Sequence, residues 1–191
     1  MKKTLVLIVL VISIFSLCAC AGGGSFTDID NMAKQNYTVV ERTIKTTASG
    51  ETLTSHFTVR GTDEVKIDYS VEQINKIDIS NMPNDYKTTK TGSVKLNGTQ
   101  ITEQTGDEID VNFVAMAKLN LNFVKEYFTQ VRWSKNKMTA NVSNIEGFLG
   151  ANVQCSWMKV EADYSSVLKE VTVEYLTVNG AEVQITYAFT A

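Results

Sequence analysis

The stretch Leu53-Thr54-Ser55-His56-Phe57-Thr58-Val59-Arg60-Gly61-Thr62-Asp63-Glu64-Val65-Lys66-Ile67-Asp68-Tyr69-Ser70-Val71-Glu72 carries a hydrophobic period of two on both sides of a turn sequence. Leu53, Phe57 and Val59 alternate with Thr54, His56, Thr58 and Arg60; Val65, Ile67, Tyr69 and Val71 alternate with Lys66, Asp68, Ser70 and Glu72. Successive side chains of a strand point to opposite faces, so each run has an apolar and a polar side. That pattern belongs to an antiparallel sheet with one face buried. A three-residue Gly61-Thr62-Asp63 loop would set Val59 opposite Val65, Phe57 opposite Ile67 and Arg60 opposite Glu64.

Working outward, Val40, Ile44 and Thr46 share a face on the preceding run. A two-residue Ser49-Gly50 loop would pair Val40 with Val59 and Thr46 with Leu53, keeping apolar against apolar. On the other side the alternation continues through Ile77 and Ile79 to a loop at Asn81–Asp85, which holds the only proline, Pro83. Asn97-Gly98 marks a hairpin that places Val94 opposite Ile101. Later in the chain Met138, Ala140 and Val142 alternate after a turn at Ser134–Lys137, and three further strands are expected near 153–163, 167–177 and 182–190. For Val171, Val173 and Tyr175 to share a face with Val183, Ile185 and Tyr187, the turn must be Val178-Asn179-Gly180 with Gly180 left-handed.

Two segments have helical spacing. Phe26, Ile29, Met32 and Ala33 predict a short helix over 27–36, with Thr27 or Asp28 as its cap. Residues 109–131 fit two templates: a helical stripe of Phe113, Ala117, Leu121, Val124, Phe128 and Val131, or alternation through Val111, Phe113, Ala115, Ala117, Leu119, Leu121 and Phe123. The propensity of Ala115-Met116-Ala117-Lys118-Leu119 and the caps available at Asp110 or Asn112 favour a helix over 112–128. The expected fold is therefore α+β, mostly antiparallel β: a curved meander sheet, or incomplete barrel, of about 8–10 strands packed on two helices, 27–36 and 112–128. A tandem of two helix-plus-sheet units is the alternative, although no residue-by-residue repeat supports it.

The first residues read differently. Lys2 and Lys3 precede a stretch from Leu5 to Leu17 broken only by Ser13 and Ser16, followed by Cys18-Ala19-Cys20 and Gly22-Gly23-Gly24. This is the build of a secretory signal, and the apolar run is shorter than the roughly 18–20 residues a spanning helix needs. Leu17-Cys18-Ala19-Cys20 resembles the bacterial lipobox. The resemblance implies a diacylglycerol thioether on Cys20 and cleavage just before it. The expected organisation is a lipoprotein signal peptide at 1–19, a Gly-rich tether at 20–25 and a single β-rich domain at 26–191, lipid-anchored to the cell membrane or outer membrane and extracytoplasmic. Removing Lys2 and Lys3 with the signal takes the formal charge from −3 to −5. A mildly acidic chain without a block of Lys or Arg argues against nucleic acid and against an electrostatic hold on anionic lipid, leaving the lipid on Cys20 as the membrane partner.

The inventory for chemistry is thin. The single histidine, His56, lies on the polar face of its strand among Thr54, Thr58 and Arg60. Asp107, Glu108 and Asp110 are the densest acid cluster, read as a solvated turn or cap more readily than as a calcium site. Cys155 is left without a disulfide partner and reads as a small buried hydrophobe beside Trp157. No catalytic set, metal spacing or cofactor motif emerges, so the chain reads as non-enzymatic. The aromatic residues read as core, except that Phe148 and Leu149, set between Gly147 and Gly150, read as apolar surface on a mobile loop. With Phe123 and Tyr127 they are the candidate contacts for a ligand or partner.

The order of elements is similar in layout to the lipoprotein-carrier class of exported proteins, the LolA and LppX/LprG type. That resemblance covers most of 26–191 without a shared motif, and implies a sheet that holds acyl chains. The expected function is a membrane-anchored protein binding a hydrophobic small molecule or lipid in an apolar cavity. The alternative is a surface-displayed interaction or inhibitor module with a filled core and a protein partner.

Overall fold

The structure, a computed structural model, describes residues 24–35, 37, 39–48, 51–60, 65–75, 86–97, 100–108 and 121–190. Its centre is one ten-stranded antiparallel sheet: β1 (Val39–Ala48), β2 (Glu51–Arg60), β3 (Val65–Asn75), β4 (Tyr86–Asn97), β5 (Gln100–Gly106), β6 (Phe128–Ser134), β7 (Lys137–Val142), β8 (Cys155–Tyr164), β9 (Leu168–Thr177) and β10 (Glu182–Thr190). The strand order is β5-β4-β3-β2-β1-β10-β9-β8-β7-β6. The chain thus starts at the middle, meanders to the β5 edge, resumes at the β6 edge and meanders back to pair β10 with β1. The sheet is open, with β5 and β6 as its two edges.

Register follows the apolar pattern, because a slip of one residue would turn every side chain to the other face. Val40 pairs with Val59 and Thr46 with Leu53, as expected. Val183 pairs with Tyr175, Ile185 with Val173 and Tyr187 with Val171, and Gly180 has φ +81°. Two expected registers are corrected. Phe57 lies opposite Tyr69 and Val59 opposite Ile67, a shift of two that keeps the same face but lengthens the turn after Arg60. Ile101 lies opposite Leu96, with a bulge between Lys95 and Leu96 that leaves Val94 opposite Gln104. Loop length sets hairpin register, and composition alone did not fix it.

The helices depart most from expectation: the sheet is not packed on two helices over 27–36 and 112–128. Helix α1 (Phe26–Ala33) forms where the first was expected, but Ser25 caps it, its hydroxyl accepting from the Asp28 amide at 3.1 Å. Ile29 is fully buried and Phe26, Met32 and Ala33 pack against the core. Of the second expected helix, 112–128, residues 112–120 lie outside the described residues. Leu121–Val124 have no regular structure, Lys125–Tyr127 form a single 3₁₀ turn, and Phe128 opens β6. Tertiary bonds override helix propensity here. The Asn122 amide donates to the Phe148 carbonyl at 2.9 Å and the Phe123 amide to Asp30 Oδ1 at 2.8 Å, so these donors are satisfied without a helix. Helix α2 (Ile145–Leu149) is one turn, capped by the Asn144 side chain at one end and closed by Gly150 at φ +64° at the other. The Asn81–Asp85 loop lies outside the described residues.

Candidate functional site

Both helices deliver aromatic rings to one end of the sheet. Phe26 stacks on Phe128 at 5.2 Å between centroids and meets Trp133 edge-on at 5.2 Å. Phe123 stacks on Phe128 at 5.9 Å, and Phe148 meets Phe123 at 5.4 Å and Phe128 at 5.2 Å, both edge-on. Of the four candidate contact residues, Phe148 and Leu149 are 0% exposed and Phe123 is buried. Tyr127 is half-buried, its carbonyl accepting from the Ser143 amide at 2.8 Å and its ring against Gly147. The expected apolar surface loop at Phe148 and Leu149 is therefore a packed helical turn. Glycines on both sides serve the packing: a Cβ on Gly147 would lie 2.7 Å from the Tyr127 ring, and Gly150 supplies the left-handed end.

The middle of the sheet holds a residue that the apolar reading of β1 passes over. One row of paired residues crosses all ten strands: Trp133, Met138, Ala162, Val171, Tyr187, Arg42, Phe57, Tyr69, Gly92 and Gly106. Arg42 is its only charged member and lies on the face of Ile44, Phe57, Ile67, Tyr69 and Ile185. It is 1% exposed, and its Nε, Nη1 and Nη2 have no hydrogen-bond partner. Its guanidinium carbon stands 5.1 Å from the centre of the Tyr187 ring, whose buried hydroxyl also lacks a partner. Burial lowers the Arg42 pKa from its ordinary value, while Tyr187 and Tyr175 oppose that shift; burial in turn pushes both tyrosines up. Ser55, paired with Ile44, is the other buried polar residue of this face among the described residues. At the β5 end of the row, Gly92 leaves room for the Tyr69 side chain, whose hydroxyl donates to the Asp107 carbonyl, and Gly106 lets the β4 backbone at Thr91 and Gly92 come close.

The opposite face is polar. A groove of about 500 Å³ crosses β6 to β10, with Arg132, Asn141, Lys159, Glu161, Glu174 and Gln184 in its walls. Trp157 opens to solvent at 42% exposure beside a neighbouring hollow, and Cys155 is half-exposed, which corrects the expectation of a buried thiol. His56 is exposed, its Nδ1 2.9 Å from the Thr43 hydroxyl. Asp107 turns back onto β4, its carboxylate accepting from the Thr91 amide at 2.9 Å, while Asp110 lies outside the described residues. Among the described residues no group of three His, Cys, Asp or Glu could hold a metal ion, and no helix is long and apolar enough to cross a membrane. Residues 1–19 and Cys20 lie outside the described residues. No protein-family model matches this sequence, and no curated protein matches it.

Proposed function

We propose that this chain is a membrane-anchored, extracytoplasmic, non-enzymatic lipoprotein that binds a hydrophobic, lipid-like ligand against the apolar face of its sheet. The anchor rests on Leu17-Cys18-Ala19-Cys20 and the apolar run before it. The ligand reading rests on one observation, the distribution of apolar surface. Ile44, Phe57, Ile67, Tyr69, Val94 and Leu96 continue the buried apolar face across β1 to β4, and among the described residues the principal contacts of the two helices fall on β6, β9 and the turn at 125–127. A face of that width suits an acyl chain, since buried apolar area is the main source of affinity for such ligands.

Organic extraction of the full-length protein purified from envelopes should release lipid in addition to that on Cys20, and a naphthalene dye should be displaced by long-chain lipids. Preparations that yield no extractable lipid and show no dye displacement would refute the reading. A second reading, a protein-interaction module, is favoured by the groove on the polar face and the exposed Trp157. Trp157→Ala would then abolish partner capture while leaving dye binding intact.

The anchor is tested separately. Cells labelled with a clickable fatty acid should mark the wild type and not Cys20→Ser, because the thioether cannot form on a hydroxyl. Equal label on both would overturn it.

A further inference from the structure

We infer that Arg42 is an anion receptor on the apolar face, so that the ligand is an amphiphile with a long acyl chain and an anionic head, a carboxylate or a phosphate. This rests on the hydrophobic-ligand reading and narrows its chemistry.

Arg42 is costly as it stands. A guanidinium has five N–H donors and does not lose its proton in proteins. Burying such a charge without a partner costs several kcal/mol even after relaxation. The Tyr187 ring offsets part of that as a cation–π partner, and it leaves the N–H groups without acceptors. Among the described residues no carboxylate supplies the missing anion. The titratable groups that act on Arg42 are Tyr187 and Tyr175, both neutral at pH 7. Glu41, the carboxylate next to it on the strand, is exposed. Nor does the position demand a cation for folding, because the residues paired with it on either side are Tyr187 and Phe57.

An incoming carboxylate or phosphate would accept paired hydrogen bonds from the guanidinium fork, the geometry for which arginine is suited. Ile44, Phe57 and Ile67 around it offer apolar contact for the chain that carries the head. A neutral amphiphile of the same length would keep the apolar contacts and leave the arginine unpaired. The site therefore discriminates by head group, because a buried group left without its partner penalises the analogue lacking it.

The test uses the full-length chain in a fixed concentration of nonionic detergent, with a diazirine-bearing long-chain fatty acid as the probe. Oleate, oleyl phosphate, oleyl alcohol, acetate and inorganic phosphate serve as competitors. Oleate and oleyl phosphate should compete strongly, oleyl alcohol roughly 30-fold or more weakly, and acetate and inorganic phosphate should not compete at micromolar concentration. Arg42→Met should reduce labelling by the acid by a similar factor while labelling by the matching diazirine alcohol is unchanged. Arg42→Lys keeps the charge without the fork and should fall between.

Unfolding without added ligand separates recognition from a structural role: Arg42→Met should unfold at the wild-type temperature or above it. A lower midpoint for Arg42→Met with unchanged oleate labelling would assign Arg42 to structure and overturn the inference. Equal competition by oleate and oleyl alcohol would overturn it while leaving the hydrophobic-ligand reading intact. Failure of every long-chain competitor would overturn both.

Discussion

Replacing Phe148 by alanine separates a packed core from a surface flap by magnitude. The ring is fully buried and meets Phe123 and Phe128 edge-on at 5.4 and 5.2 Å. Loss of a buried phenyl group costs about 1.5–3 kcal/mol in transfer alone, and each aromatic pair adds about 0.5–1.5 kcal/mol. The hole cannot close easily. Phe123 is held through its amide by Asp30, Phe128 is stacked on Phe26, and the Phe148 carbonyl already accepts from Asn122. The total should therefore lie near 4 kcal/mol, inside the 3–5 kcal/mol span of Phe→Ala core changes. For a domain of this size that lowers the melting temperature by roughly 8–16 °C. Urea and thermal unfolding followed by tryptophan fluorescence would measure it, since Trp133 packs against Phe26 in the same cluster. A change below about 0.5 kcal/mol, the ordinary range for surface substitutions, would refute the packing and restore Phe148 to an exposed role.

Asp30→Ala removes the acceptor of the Phe123 amide, and should cost about 1–3 kcal/mol for a partly buried N–H left unsatisfied; Asp30→Asn, which keeps an acceptor oxygen, should recover part of that in the same denaturation curves. Gly180 and Gly106 both have left-handed φ, but a Cβ on Gly180 meets open space whereas one on Gly106 meets the Thr91 carbonyl. Gly180→Ala should therefore cost about 1–2 kcal/mol for the backbone alone, and Gly106→Ala measurably more; equal costs would contradict the β4–β5 packing. The hydroxyls of Tyr37, Tyr164, Tyr175 and Tyr187 are all pushed above the usual tyrosine range, chiefly by burial. A pKa raised by folding stabilises the protein fully below the unfolded value near 10, and that stability is lost as pH rises through the folded value. Stability should thus fall above about pH 10, and less steeply in Tyr187→Phe, as read from urea midpoints across an alkaline series.

Strand alternation was legible because it is enforced twice, by the pleat and by the need to bury one face. The β1–β2 and β9–β10 registers could be read from Val40, Val59, Tyr175 and Val183 for that reason. Where the turn sequence allows several lengths, the face survives and the pairing does not, as at Phe57 with Tyr69 and at Leu96 with Ile101. The stretch around Phe123 was illegible for a different cause. Its apolar residues fit both periods, and the deciding acceptor, the Asp30 carboxylate, stands 93 residues earlier in the chain. Phe148 and Leu149 misled through composition, since flanking glycines signal a mobile loop and here serve close packing and a left-handed cap.

Arg42 was hidden for the opposite reason: its place in the pattern was unambiguous, and its residue type made the pattern look broken. Val40, Arg42, Ile44 and Thr46 have one period, so whatever buries Ile44 also draws Arg42 inward. A face traced through its apolar members alone skips the charge in its middle. On the next strand Ser55 breaks the apolar alternation in the same way, and it too is buried. Two polar residues in neighbouring positions on one apolar face are costly to keep unless something meets them. Arginine is the more informative of the pair, because its stem could have carried the charge to solvent had the fold allowed it. The sheet instead pairs it between Tyr187 and Phe57 and buries all three nitrogens. Where the hydrophobic period requires burial and the charge resists it, the conflict itself marks the residue to which function is assigned.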